Sequence, residues 1–272
     1  MKIRLLTVQI ESRAGDIEFN IKKIRRLIFE ALKEHKNIDL IILPEMWASG
    51  WNCAEFNKYS EELYSSKTYN FLHELSLECS SNVIGGSAVL HRENQKDRNS
   101  CLIFDRKGSL RGIYDKYHLF SHRGEAEGSY LQEGEAGLLV NLDIGKAGIS
   151  TCYDIRFPEL FRLYAVKNAD FIVNMAAWPE GLFYEYETLL HSRAVENQIY
   201  CISSCLTGRI NEEYRFSGHS EVCSYRGRTI AALEREEAAL CCEISLDEMR
   251  EYRRKMPVLN DVKKEYKIRE IE

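Results

Sequence analysis

The chain has 272 residues, 44% of them hydrophobic and 29% charged, with a formal net charge of −5. That length supports a sizeable core in one large domain or two small ones, no linker marks a division, so a single domain spanning 1–272 is expected, and the lack of a basic excess removes the electrostatic footprint of a nucleic-acid binder. No stretch approaches the run of about 20 apolar residues needed to span a bilayer, and the opening MKIRLLTVQIES alternates like a strand and meets Glu11 too soon for a signal peptide. A small-molecule partner, no membrane and a cytoplasmic setting are therefore expected. Nine cysteines are scattered without CxxC spacing or paired histidines at ligand spacing, so they read as core thiols in a reducing compartment rather than a structural zinc site.

Lys2 to Ile10 alternates apolar and polar residues with period two, the pattern of a strand with one buried face. Ile17, Ile21, Ile24, Ile28 and Ala31 then recur at three- and four-residue steps, which predicts a helix laying one stripe on a sheet. Asp39 to Leu43, DLIIL, is a short continuous apolar run, the mark of a strand buried on both faces. It ends in Pro44 and Glu45. A carboxylate just beyond the carboxyl end of a buried strand stands where open α/β folds gather their functional groups.

From Trp47 to Asn57, Trp47, Trp51 and Phe56 lie among Gly, Asn and Ser, a loop with aromatic cover suited to walling a pocket. A second helix over 68–80, a strand over 83–90 through Gly85 and Gly86, and a hairpin pairing 101–105 with 110–114 follow. Lys116 comes next, in YDKYHLF, again past the end of a strand. An ammonium pointing into a pocket there can serve as a fixed oxyanion partner. The loop 121–134 carries Glu125, Glu127 and Glu133, and Glu127 is the preferred acid to orient Lys116.

Leu138–Leu142 and Lys146–Thr151 form another hairpin that delivers Cys152. The stretch GISTCYDIRFPEL reads as a buried strand running into a cysteine and then a helix, with Pro158 at its first position and Glu159 beside it. A thiol there lies near free backbone N–H groups, which favour its thiolate. Asp170 to Met175 repeats the DLIIL pattern and leads into AAWPEG, where Ala177 and Trp178 leave small and aromatic surfaces beside the expected site. A helix over 184–197, with Leu189, Leu190, Ala194 and Val195 inward, precedes a strand over 198–204, a hairpin around YRGR, a last strand over 238–244 and a charged helix over 247–255. Strands alternating with helices, interrupted by hairpins, argue for a layered α/β fold with mixed sheets.

Glu45, Lys116 and Cys152 thus follow three separate strands. A thiol supplies a nucleophile, a carboxylate can remove its proton, and an ammonium can stabilise an oxyanion, a complete set for acyl transfer. His118, His122, His191 and His219 lack a comparable strand-end setting and stay open as bases. On the motifs LPEMWASG, YDKYHLF, CYDIRFPEL and the supporting HSRAVENQ, in that order across nearly the whole chain, the sequence closely resembles the nitrilase, or carbon-nitrogen hydrolase, superfamily. The resemblance implies a four-layer αββα sandwich of two mixed sheets and association into homodimers through a helix layer. It also implies roles: Glu45 the general base, Lys116 the transition-state partner, Cys152 the nucleophile, and Glu127 a second structural glutamate. Glu133 stands where the family has a proline before the glycine, and Glu125 is the rival for the structural acid.

In the implied reaction Cys152 attacks an amide carbonyl, Lys116 and the backbone N–H of Tyr153 hold the oxyanion, ammonia leaves, and water hydrolyses the thioester. Substrate and water are the small-molecule partners, and no metal or organic cofactor has a task. CYD after the strand is similar to the amidase branches, and with AAWP and HSRAVENQ most similar to omega-amidases, which cleave the terminal amide of α-keto acids such as 2-oxoglutaramate. MPVLNDVKKEY resembles their tail without its usual arginine. Deaminated-glutathione amidases share CYD-RFPEL and are the runner-up, with carbamoyl amides and nitriles behind them. Arg156 stands either to meet a substrate carboxylate or to brace its turn through Asp154 or Glu159. A silent binding or assembly module, or an acyltransferase passing the acyl group to an amine, are the readings of a different kind.

Overall fold

The apolar runs sort themselves between two faces. In the computed structural model, which describes residues 1–122, 127–209, 215–263 and 265–271, the first half contains β1 (Lys2–Gln9), α1 (Ile17–Glu34), β2 (Leu40–Ile42), α2 (Lys67–Cys79), β3 (Asn82–Leu90), β4 (Arg98–Phe104) and β5 (Leu110–Asp115). After the short α3 (Glu127–Tyr130) come β6 (Leu138–Leu142), β7 (Gly145–Thr151), α4 (Pro158–Val166), β8 (Phe171–Ala176), α5 (Phe183–Asn197) and β9 (Tyr200–Cys205). The chain continues through β10 (Thr207–Arg209), β11 (Arg215–Ser217), β12 (Glu221–Cys223), β13 (Thr229–Ala232), β14 (Ala238–Ser245) and α6 (Leu246–Lys255).

Twelve of these strands build two six-stranded mixed sheets, in the orders β14-β1-β2-β3-β4-β5 and β13-β12-β9-β8-β7-β6, while β10 and β11 pair with each other as a separate ribbon. Alternation along β2 divides the DLIIL run. Leu40 and Ile42 face the second sheet, sharing a core with Ile149, Val173 and Ile202. Ile41 and Leu43 face outward onto Ile24 and Ile28 of α1 and Phe71, Leu72 and Leu75 of α2. The same split runs along β1, with Ile3 and Leu5 inside the sandwich and Leu6 and Val8 beneath the helices. The strand with one buried face expected there is therefore buried on both, because helices cover its outer side. Across the sandwich, Thr7 Oγ1 donates to Ser203 O at 2.7 Å and Ser204 Oγ to Val8 O at 2.6 Å.

Helices α4 and α5 cover the second sheet through Phe161, Tyr164, Tyr186, Leu190 and Ala194. The four-layer αββα arrangement is thus complete. One expected inward residue of α5 is not: Val195 is 52% exposed, because the helix turns its Leu190–Ala194 side to the sheet.

Strand direction gathers the site. β2 runs parallel to β3, β4 antiparallel to β3, and β5 antiparallel to β4, so β5 points the same way as β2. In the other sheet β7, β8 and β9 are mutually parallel. Glu45, Lys116, Cys152 and Ala177 follow β2, β5, β7 and β8, each at a carboxyl end. Asn99, at the amino end of the reversed β4, joins the edge that β2 and β5 reach.

Candidate active site

The Glu45 turn depends on a glycine bulge in the neighbouring strand. The β3–β4 ladder shifts register between Ile84 and Ser87, across Gly85 and Gly86. Gly86 sits at φ +61, and a Cβ there would stand 2.0 Å from Pro44 O, so only glycine lets the turn approach so closely. Met46 itself adopts φ +51. Its N–H donates to Ser87 Oγ at 3.1 Å, and Trp47 Nε1 donates to Gly85 O at 2.7 Å. These contacts fix the carboxylate between the sheets.

Glu45, Lys116 and Glu127 meet there, all buried. Lys116 Nζ donates to Glu45 Oε1 at 2.9 Å and to Glu127 Oε2 at 2.8 Å. Asn99 Nδ2 bridges the same two acids, at 2.9 Å from Glu45 Oε1 and 3.0 Å from Glu127 Oε1. Glu127 Oε2 also accepts from Phe120 N at 2.8 Å, while Glu45 Oε2 accepts from Ala177 N at 2.8 Å. Each carboxylate is thereby satisfied by several donors, as buried charge requires. Gly134 holds the strand end of Lys116: its N–H donates to Lys116 O at 2.8 Å, and a Cβ there would meet Asp115 O at 2.2 Å.

Cys152 stands beside this cluster, 5% exposed, where the charges of Glu45 and Lys116 both act on its thiol. Its φ of +47 lies in the left-handed region, a conformation that costs a non-glycine residue about 1–3 kcal/mol and is held only by strong surroundings. Asp154 supplies them. Its carboxylate accepts from Tyr114 OH at 2.6 Å, Thr151 N at 2.8 Å and His118 N at 2.9 Å, so it ties the cysteine turn to the Lys116 segment.

Burial pushes the Cys152 thiol well up, the Glu45 charge adds to it, and Lys116 and the Ala177 N–H pull the other way without prevailing. The backbone N–H groups expected to favour the thiolate are thus outweighed. A short 3-10 turn, Cys152–Arg156, intervenes before α4, and desolvation outweighs its N–H groups. Burial also opposes the Lys116 ammonium, but Glu127, Glu45 and Cys152 together raise its pKa well above the usual lysine value. The Glu127 carboxyl is raised by burial, against the pull of Lys116 and with help from Glu45.

The structure thus brings together Glu45, Lys116, Glu127 and Cys152, with Tyr153 in the turn that follows the thiol. Glu125 lies outside the described residues. Ala177 faces the cluster through its N–H, which Glu45 occupies. Trp178 is 3% exposed and donates Nε1 to Leu182 O at 2.7 Å, leaving its ring beneath the Arg156 guanidinium at 5.0 Å. Arg156 is thus stationed over Trp178, while Asp154 is engaged by Tyr114, Thr151 and His118.

Of the aromatic loop, Trp51 reaches the site, with Lys116 Nζ 5.5 Å from its ring centroid. Trp47 instead packs into the α2 core against Phe71, and Phe56 is buried with Met46 and Val89. Three of the histidines are drawn elsewhere, His118 to Asp154 and Phe157, His191 to Glu221 and His219 onto Phe183, whereas the His122 ring lies 6.0 Å from that of Tyr153, beside the turn after the thiol. Asn99 is the member that sequence reasoning missed. Its signal was a polar triplet, RNS, opening an otherwise apolar strand.

A family model described as carbon-nitrogen hydrolase matches residues 4–254. A 2-oxoglutaramate amidase of Bacillus subtilis is 32% identical over 97% of this chain and 99% of its own length. Another, from Paenarthrobacter nicotinovorans, is 31% identical over 96% of this chain and 89% of its own. Among solved structures, a carbon-nitrogen hydrolase from Helicobacter pylori superposes with a TM-score of 0.90 at 25% identity, covering 96% of each chain. A nitrilase-superfamily member from Saccharomyces cerevisiae gives 0.87 at 29% identity, covering 94% of each.

Proposed function

The chain belongs to the carbon-nitrogen hydrolase family, and from that premise we propose that it hydrolyses the terminal amide of a small carboxylate-bearing substrate through a thioester on Cys152, releasing ammonia. What supports the reading is a neutral thiol, a carboxylate and an ammonium at one buried end of the sandwich, with Lys116 Nζ 2.9 Å from Glu45 Oε1 and the thiol within reach of both charges. Because the thiol rests protonated, the nucleophile has to be made during the attack.

Glu45 accepts the thiol proton as sulfur bonds to the amide carbonyl carbon. The carbonyl π pair moves onto oxygen, where Lys116 and the Tyr153 N–H hold the charge. The C–N bond then breaks, Glu45 returns its proton to the leaving nitrogen, and ammonia departs. Water next gives a proton to Glu45 and adds to the thioester. As the C–S bond breaks, that proton goes back to sulfur and the carboxylic acid leaves. Glu127 and Asn99 act as positioning residues, holding Lys116 and Glu45 in place.

The relatives named for 2-oxoglutaramate favour an α-keto acid amide, and Arg156 above Trp178 is the cation assigned to its carboxylate. The same proposal includes a second copy as partner, supported by the half-exposed Leu163, Val166 and Val195 on the outer helix layer. It also includes a cytoplasmic setting, supported by Cys101, Cys201, Cys205 and Cys223 packed as core thiols. No helix among the described residues is long and apolar enough to cross a membrane.

Ammonia release from 2-oxoglutaramate, deaminated glutathione, aliphatic amides, an N-carbamoyl amine and a nitrile tests the assignment, with Cys152→Ala as control. Preferred release from 2-oxoglutaramate, abolished in the control, is expected. Preference for deaminated glutathione would move the specificity, and no release from any of them would overturn the activity.

A further inference from the structure

Beneath α5, on the outer face of the second sheet, His191, Glu221 and Cys223 bring an imidazole, a carboxylate and a thiol together. The β9–β12 register explains the meeting. Val222 opposes Ile202 and Cys223 opposes Cys201. Ser204 points into the sandwich to bond Val8, so the odd-numbered positions of β9, and with them Glu221 and Cys223, point out toward α5. Helix α5 crosses that face with Tyr186 against Cys205 and, farther along, His191 Nε2 at 2.7 Å from Glu221 Oε1. Thr229 Oγ1 donates to the same oxygen at 2.7 Å. The three candidate donor atoms all lie within 4.8 Å of one another. They sit toward the amino end of β9, away from the edge where Glu45, Lys116 and Cys152 gather.

We propose that His191, Glu221 and Cys223 form a second site, one that binds a borderline-soft divalent transition metal of the zinc class independently of the catalytic cluster. The donors are the nitrogen, oxygen and sulfur that such an ion prefers, and three protein ligands leave a fourth tetrahedral position for water. Bonds of about 2.0–2.3 Å to one ion separate neighbouring ligand atoms by roughly 3.3–3.8 Å. The imidazole and carboxylate therefore have to part by roughly 0.6 Å, a rotamer-scale adjustment.

Charge balances as well. One carboxylate and one thiolate neutralise a divalent cation, the imidazole stays neutral, and the thiol proton leaves to solvent as the metal–sulfur bond forms. A neutral assembly suits residues as buried as Glu221 at 5% and Cys223 at 0% exposure. The His191 side chain, 29% exposed, gives the ion and its water a way in. A bound ion ties α5 to β12, so its effect falls on stability rather than on the chemistry at Cys152.

The test is Co2+ titrated into the full chain carrying Cys152→Ala, which removes the thiol beside Glu45 as a competitor. One equivalent is expected to bind with tetrahedral visible absorption and a sulfur-to-cobalt charge-transfer band, and Zn2+ is expected to raise Tm. Adding Cys223→Ser is expected to abolish the charge-transfer band, and His191→Gln to weaken binding by about tenfold or more. A band that survives Cys223→Ser, or no stoichiometric binding at all, overturns the site. Should Cys223→Ser fail to fold, His191→Gln carries the test, since it lies on a partly exposed helix face: unchanged Co2+ affinity and an undiminished Zn2+-induced rise in Tm would refute the proposal.

Discussion

At Cys152 two effects of Glu45 oppose each other. As a charge the carboxylate adds to the burial that holds the thiol protonated, and in the proposed mechanism it takes the proton when sulfur attacks. Glu45→Gln separates them. Removing the charge increases the resting thiolate, whereas removing the base slows any reaction that begins from the thiol. Alkylation of Cys152 by iodoacetamide at neutral pH, followed by peptide mapping, is expected to slow in this variant, with amidase activity falling at least about 100-fold. Faster alkylation would assign reactivity to the standing thiolate instead. Glu127 raises a different question, because burial lifts its carboxyl above the ordinary range against the attraction of Lys116. The folded chain then holds that proton more tightly than the unfolded chain, so this group's share of stability is full at acid pH and declines as pH rises through the elevated value. Glu127→Gln does not titrate. The Tm of the native chain relative to this variant is therefore expected to fall as pH rises above the ordinary glutamate pKa of about 4.3, and a difference that grows with pH would show Glu127 ionised throughout.

At the scale of elements, the turn after β2 is held by a bulge in β3, and the two stand or fall together. In Gly86→Ala the new Cβ would lie 2.0 Å from Pro44 O, on a backbone at φ +61. Strain and displacement together are expected to cost about 1–3 kcal/mol, a Tm loss of several degrees read by calorimetry. Activity should drop further than that loss accounts for, since Pro44 carries Glu45; an unstable but fully active variant would separate the bulge from the site. The strands ending in Glu45, Lys116 and Cys152 were legible in the sequence, the first as a continuous apolar run closed by a polar residue and the other two as the second arms of hairpins. Asn99 was not, since a residue opening a strand reaches this edge only when that strand runs backwards, and direction is set by pairing. Trp47 and Phe56 misled for a related reason: an aromatic in a loop packs equally well into a pocket wall or, as here, into the core. The pull of the turn's N–H groups on the thiol was overweighted, because a local pattern reveals those groups but not the depth at which they are buried.

For the whole molecule, the decisive feature is that the site belongs to neither sheet. Glu45, Asn99 and Lys116 come from the first, Cys152 and the Ala177 N–H from the second, and Asp154 joins them by taking Tyr114 OH at 2.6 Å from across the interface. The chain closes on itself in the same way, for β14 returns from the second half to pair with β1 along Lys2–Gln9. A molecule knitted so should not lose one sheet while keeping the other, although each half has strands and covering helices of its own. Urea unfolding followed by amidase activity, tryptophan fluorescence and far-ultraviolet circular dichroism is expected to give one coincident transition, the signature of a single cooperative unit. Trp47 reports on the first half and Trp178 on the second, so single-tryptophan variants can make the comparison half by half. Separate midpoints for the two probes would divide the chain into two units and make the shared edge a docked interface. A coincident transition would mean that the catalytic geometry draws on the stability of the entire sandwich, so a cavity far from Cys152, in the α1–α2 core, would lower activity only through the fraction of chain that remains folded.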